Sequence, residues 1–152
     1  VKRGFQNLFF ILFLVSCWLF SFPAVTRADA PLGGNKGGQT YGQSGDYLGE
    51  IHSDGQIYGK SGQYQGKETS SGQLYGSSGD YQGKIDPSGE IYGASGDYQG
   101  TVHADGGMYG KNGEYLGKIN DDGAVYDASG GYIGKVPEGN GAAAFKLVVR
   151  TS

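Results

Sequence analysis

From residue 38 onward, apolar and polar positions recur with one fixed step. Tyr41, Tyr58, Tyr75, Tyr92, Tyr109 and Tyr126 stand 17 residues apart, as do Tyr47, Tyr64, Tyr81, Tyr98, Tyr115 and Tyr132, and these two columns hold all 12 tyrosines. Glycines keep the same step at Gly45, Gly62, Gly79, Gly96, Gly113 and Gly130, and again at Gly55, Gly72, Gly89, Gly106 and Gly123. A constant period of this length marks a repeat architecture. Each unit divides into two short apolar-polar alternations and two glycine turns: residues 46–52, the turn Ser53-Asp54-Gly55, residues 56–60, then Ser61-Gly62. Strands of about five residues between evenly spaced glycine turns predict an antiparallel all-β meander, and no helical period runs through the repeats.

The odd period constrains the turns. Residues paired across a hairpin share a face, so a three-residue loop preserves odd-even parity and a two-residue loop reverses it. Successive units therefore present the same face if each has one turn of each kind. Ser53-Asp54-Gly55, Pro87-Ser88-Gly89 and Asp121-Asp122-Gly123 suit a type I turn followed by a left-handed glycine, while Ser61-Gly62 and Asn112-Gly113 suit a two-residue turn. This register places Tyr47, Gly49 and Ile51 on a core face with Ile57 and Gly59, and sets Tyr64 opposite Gly59. The apolar pairs are then Ile51 with Ile57, Ile85 with Ile91, Val102 with Met108, and Ile119 with Val125. Tyr58, Glu50, Gln65 and Lys67 fall on the opposite, solvent face. Glu68 interrupts the apolar column opposite Leu74. An uncompensated buried carboxylate costs several kcal/mol, so this layer is expected near a rim that water or a lysine reaches.

A one-sided meander of about 12 strands leaves two open edges, and closing on itself removes both. The array supplies complementary ends: a leading second strand at residues 39–41 and a trailing first strand at 131–136. Five or six units complete the ring. The tail at 142–150, AAAFKLVVR, leaves the repeat frame and reads as a closing strand, a plug along the axis or an oligomer contact.

Composition changes the picture mainly at the N-terminus. Lys2 and Arg3 precede an apolar run from residue 8 to 22, then Pro23 and a small-residue exit, which is the pattern of a secretory signal peptide cut after Ala28. The division expected is a signal peptide at 1–28, a flexible glycine-rich leader at 29–37, the hairpin repeat domain at 38–136, and an apolar tail at 137–152 with a possible closing strand. Leu14-Val15-Ser16-Cys17 resembles a lipobox, which makes Cys17 a candidate for lipidation, although Trp18-Leu19-Phe20 continue the apolar run beyond it. Membrane association is expected only if Cys17 is lipidated or the leader stays uncleaved. The cleaved chain keeps 9 basic against 15 acidic residues and no cysteine. Disulfides are thereby excluded, and an acidic surface without a basic patch argues against nucleic acid.

The units Ile57-Tyr58-Gly59 and Tyr64-Gln65-Gly66, with their intervening turns, resemble those of the bacterial β-flower repeat proteins over residues 38–145. That resemblance implies short hairpins set as petals about a central axis, and it brings no activity or functional residues with it. Tyr47-Leu48-Gly49 is also similar to the Tyr-x-Gly element of MORN repeats, but their period is longer and their usual tryptophan is missing from this frame.

Candidate chemistry is sparse. His52 and His103 share a turn column with Thr69, Asp86 and Asn120, which suits exposed turn residues better than catalysis or metal binding. Asp54, Asp105 and Asp122 sit inside turns, where aspartate supports the backbone. No constellation of acid, base and nucleophile stands out, no calcium nonapeptide or phosphate loop is present, and no cofactor is implied. The best binding candidates are Tyr58, Tyr75, Tyr92 and Tyr109, with Gln65, Gln82 and Gln99 expected beside them. Aromatic rings next to amides stack on sugar faces and bond their hydroxyls, whereas aromatic pairs also simply stabilise glycine-rich sheets. The expected function is a non-enzymatic structural or interaction module of the envelope or exterior. A multivalent glycan-binding module is the alternative, with cell-surface polysaccharide or an envelope protein as partner.

Overall fold

A computed structural model describes residues 36–151. The segment expected to be a signal peptide, with Cys17, and nearly all of the expected leader lie outside the described residues. Twelve strands follow in order: β1 (Gly38–Gly42), β2 (Tyr47–Ile51), β3 (Gln56–Gly59), β4 (Tyr64–Glu68), β5 (Gln73–Gly76), β6 (Tyr81–Ile85), β7 (Glu90–Gly93), β8 (Tyr98–Val102), β9 (Gly107–Gly110), β10 (Tyr115–Ile119), β11 (Ala124–Asp127) and β12 (Tyr132–Lys135). Each pairs antiparallel with its sequence neighbours, and β1 pairs with β12 through Tyr41 opposite Lys135 and Gly42 opposite Gly134. The two half units therefore meet and close a barrel of six hairpin units, as the sequence pattern required.

The expected apolar pairs all form: Ile51 faces Ile57, Ile85 faces Ile91, Val102 faces Met108, Ile119 faces Val125, and Glu68 faces Leu74. These side chains make the inner layer nearest the turns that follow β2, β4, β6, β8 and β10. Those turns are of the expected kind. The His52 amide donates to the Gln56 carbonyl at 2.8 Å, the Gly55 amide donates to the His52 carbonyl at 2.8 Å, and Gly55 takes φ 84°.

The other turn departs from expectation. The Gly59 amide bonds the Gln63 carbonyl at 2.9 Å and the Gly62 amide bonds the Gly59 carbonyl at 2.8 Å, with Gly62 at φ 78°. This is the same three-residue loop, Lys60-Ser61-Gly62, and not a two-residue turn. Asn112-Gly113 behaves alike, since among the described residues no residue other than glycine has positive φ. With two parity-preserving loops, the odd residue must be absorbed elsewhere, and a β-bulge absorbs it. Ile57 pairs with Gly66 and Tyr58 with Tyr64, which skips Gln65. Every unit repeats the skip, at Leu48, Gln82, Gln99, Leu116 and Ile133.

The bulge corrects two assignments, because one extra residue reverses the faces beyond it. Tyr47, Tyr64 and their relatives do not join the core: they stand outside, opposite the Tyr58 column, and Tyr64 and Tyr115 are 41% and 44% exposed. Gln65 and its relatives turn the other way. Leu116 and Ile133 pack on the interior cluster, Gln65 and Gln82 line the lumen, and a Cβ placed on Gly93 would meet Gln99 Nε2 at 3.1 Å.

The tail is not a closing strand. It forms α1 (Gly141–Thr151), which packs against the inner faces of β10, β11 and β12, with a lesser contact to β8. Asn140 caps it, its Oδ1 accepting from the Ala143 amide at 2.8 Å. Ala142, Ala144, Phe145, Leu147 and Val148 are buried with Val102, Met108, Val125 and Val136, while Lys146, Val149 and Arg150 are exposed. Eight strands enclose just enough room for side chains. Twelve enclose more, and a helix about 10–12 Å across takes up part of the difference.

Candidate functional site

Two regions carry chemistry, an outer belt and a lumenal cavity. In the belt, strand alternation puts Tyr58, Tyr75, Tyr92 and Tyr109 outside on β3, β5, β7 and β9. Each meets the tyrosine across the bulge edge to face: Tyr58 and Tyr64 lie 5.8 Å apart at 68°, and Tyr109 and Tyr115 lie 5.4 Å apart at 61°. Tyr41 with Tyr47 and Tyr126 with Tyr132 complete six such pairs. The phenol of Tyr58 donates to Gln56 Oε1 at 2.6 Å, Tyr75 to Gln73 Oε1 at 3.2 Å, and Tyr92 to Glu90 Oε2 at 3.0 Å. The bond to Glu90 is the main reason that the Tyr92 phenol holds its proton above the usual tyrosine range, with partial burial adding to it.

Lysines complete the belt. Lys67 pairs with Tyr75 and Lys84 with Tyr92, and Lys84 Nζ sits 5.1 Å from the Tyr92 ring centre. Gln65, Gln82 and Gln99 do not join the tyrosines, since the bulge sends them inward. The outward amides are Gln39, Gln56 and Gln73, two residues before Tyr41, Tyr58 and Tyr75 on the same strand faces. Plain alternation within the strand was signal enough to find them.

The turn residues serve the backbone. The Gln56 amide, bonded to Asp54 Oδ1 at 3.0 Å, is the main cause holding that carboxyl below the usual range. His52 Nε2 lies 2.9 Å from Glu50 Oε1 on the exposed outer face, and its ring rests 4.7 Å from that of Tyr58. Among the described residues no group of three or more His, Cys, Asp or Glu is placed to hold a metal ion.

The cavity arises because α1 lies off centre. Opposite the arc it packs on, a space of about 760 Å³ separates the helix from β2 to β5. Glu68, 1% exposed, forms part of its floor and accepts from Asn140 Nδ2 at 3.2 Å. Lys146 and Arg150, one helical turn apart, form part of the wall. Burial pushes the Glu68 carboxyl up, against the opposing pull of the Asn140 bond and the Lys146 charge. Lys146 keeps solvent contact, yet enclosure by the barrel draws its ammonium down, and Glu68 opposes that shift. The expectation that a lysine reaches the layer containing Glu68 is met by Lys146.

The folded barrel favours protonated Glu68, so it holds the proton to higher pH than the unfolded chain. The stability this confers is fully present below the ordinary glutamate value of 4.5 and is lost as pH rises through the folded value. Glu68→Gln retains an acceptor for Asn140 and cannot ionise. Its melting temperature relative to wild type is expected to be nearly unchanged near pH 4 and higher near pH 7. Circular-dichroism melts across that range check this, and a pH-independent difference contradicts it.

Comparison of the chain with family models, curated proteins and solved structures returns no match.

Proposed function

We propose that this chain is an exported, non-catalytic interaction module of the cell envelope or exterior that holds extended polysaccharide against its outer tyrosine belt. The observation that carries this reading is the repetition of one surface motif around the barrel: an edge-to-face tyrosine pair, with an amide, carboxylate or lysine in reach of the ring. The ring pairs stay half exposed after folding, whereas a purely structural aromatic gains most by burial. Sugar rings stack on such faces, and their hydroxyls take the adjacent polar groups. Equivalent sites at repeat spacing suit a polymer, because several weak contacts on one chain combine into firm retention. Kinship with β-flower proteins belongs to this reading and is supported by six hairpins set around one axis.

The double substitution Tyr75→Ala/Tyr92→Ala tests it. Each lost ring pair is worth about 0.5–1.5 kcal/mol beyond buried area, so the barrel is expected to stay folded. Retention on insoluble cell-wall polysaccharide is expected to fall about tenfold or more. Retention that is unchanged, alongside a large drop in melting temperature, assigns the belt to scaffolding alone.

A further inference from the structure

We propose that the polymer held by the tyrosine belt is a polyuronate, its carboxylates met by Lys118 and Lys135 on the arc of β10, β11, β12 and β1. This rests on the reading of the belt as a polysaccharide surface and adds the chemical class of the polysaccharide. The lysines stand in one outward column. Each pairs across the sheet with a belt tyrosine: Lys67 with Tyr75, Lys84 with Tyr92, Lys118 with Tyr126 and Lys135 with Tyr41. Glu50 and Thr101 take the other two places, opposite Tyr58 and Tyr109.

The neighbour on each lysine's other side differs around the ring. Lys67 and Lys84 lie beside Gln56 and Gln73, and both are half-buried. Lys118 and Lys135 lie beside Gly107 and Ala124, and both are exposed. The phenols divide in the same way. Tyr41, Tyr58, Tyr75 and Tyr92 donate to Gln39, Gln56, Gln73 and Glu90 on their own strands. Gly107 and Ala124 hold the matching places before Tyr109 and Tyr126 and have no side-chain acceptor, so neither of these phenols is held in this way. A cleft of about 500 Å³ lies over the outside of β10 and β11, bordered by Tyr115, Lys118, Asn120 and Tyr126. The carboxylate in its lining, Asp127, is held by its own turn, accepting from the Ser129 amide at 2.9 Å, the Ser129 hydroxyl at 2.6 Å and the Gly131 amide at 2.9 Å. The outward carboxylates of the belt, Glu50 and Glu90, stand on β2 and β7, away from this cleft.

The spacing selects the polymer. Lys84 Nζ lies 5.1 Å from the centre of the Tyr92 ring, so a lysine in this column reaches over its cross-strand tyrosine. An anion met by the lysine is therefore within one sugar of the ring stacked on the tyrosine. A uronate meets this condition, because its carboxylate is a substituent of the stacking ring itself. Poly(glycerol phosphate) has the charge without the ring, and a neutral glucan has the ring and gains nothing from the lysines. Lys118 and Lys135 are two strands apart, roughly 10 Å at the backbone, close to a disaccharide step, with Tyr126 on the strand between them.

Retention of the full chain on immobilised polygalacturonate, beside its methyl ester and poly(glycerol phosphate), tests the proposal. The ester keeps the rings and hydroxyls and lacks the charge. The free acid is expected to retain the chain about three- to tenfold better than the ester, and added salt to erase the difference. Lys118→Gln/Lys135→Gln is expected to remove this preference while retention on the ester and the melting temperature stay unchanged. Lys67→Gln/Lys84→Gln is expected to keep most of it. Equal losses from the two lysine pairs, or stronger retention on poly(glycerol phosphate), overturn the proposal. Equal retention on acid and ester that Tyr75→Ala/Tyr92→Ala abolishes overturns the uronate assignment and keeps the belt as a polysaccharide surface. No retention on any of the three polymers counts against both.

Discussion

Truncating Phe145 to alanine is expected to lower the free energy of unfolding by about 3–5 kcal/mol, the usual cost of removing a buried aromatic ring. The ring is 6% exposed and sits in the cluster that joins α1 to the barrel. Its tip lies where a Cβ on Gly100 would fall, 2.8 Å from Cζ, so it packs directly on the sheet backbone. The helix is short, about three turns, and isolated helices of that length are marginal in water. Its order therefore comes from this packing, and the variant is expected to lose helical signal as well as stability. Urea titration followed by circular dichroism checks both. A loss below about 1 kcal/mol, the level of a surface substitution, contradicts a helix seated in the lumen.

Gly100→Ala is expected to cost about 2–4 kcal/mol, for two reasons that can be separated. The residue lies at φ 151°, and an added Cβ falls 2.3 Å from the Tyr109 carbonyl oxygen as well as 2.8 Å from the Phe145 ring. Gly96 provides the comparison: it has φ 83°, and a methyl added there would have nothing within 4 Å, so its alanine variant is expected to cost only the left-handed backbone penalty of about 1–2 kcal/mol. Combining Gly100→Ala with Phe145→Ala relieves the contact with the ring but not that with the carbonyl. The two losses are therefore expected to add incompletely. Equal costs at Gly100 and Gly96 contradict the close approach of neighbouring strands at the bulge.

Much of this architecture is legible in the residues themselves. The pairs Ile51 with Ile57 and Val102 with Met108 follow from alternation and one glycine loop, and closure follows from half units at the two ends. The reading fails where two local solutions satisfy the same parity. Ser61-Gly62 fits a two-residue turn, and Lys60-Ser61-Gly62 fits a three-residue one. The choice between them reverses the faces of Tyr64 and Gln65, and so decides whether a tyrosine column is core or surface. The bulge was signalled by Gly66, at φ 144°, whose Cβ would stand 2.0 Å from the Tyr75 carbonyl oxygen, but glycine recurs too often in this chain for that one column to stand out. The tail is short enough that its apolar residues suit strand or helix equally. Its exposed positions Lys146, Val149 and Arg150 hold the helical spacing that decides the matter.

The candidate site was legible in part. The outward tyrosines are where alternation places them, whereas the cavity depends on the width of a ring whose size the repeat period leaves open. Glu68 was visible as the exception in an apolar column. Its neighbours Asn140 and Lys146 come from a segment more than 70 residues away in sequence, and only the fold brings them together.

The off-centre seat of α1 divides the ring into two territories with different freedom to change. Hairpins on the helix side must keep side chains that fit the helix, as Leu116 and Ile133 do. Hairpins on the far side answer to no such neighbour at the same positions. Descendants of one duplicated unit could thus drift apart by location, one arc conserving the assembly while the other was left to acquire new chemistry.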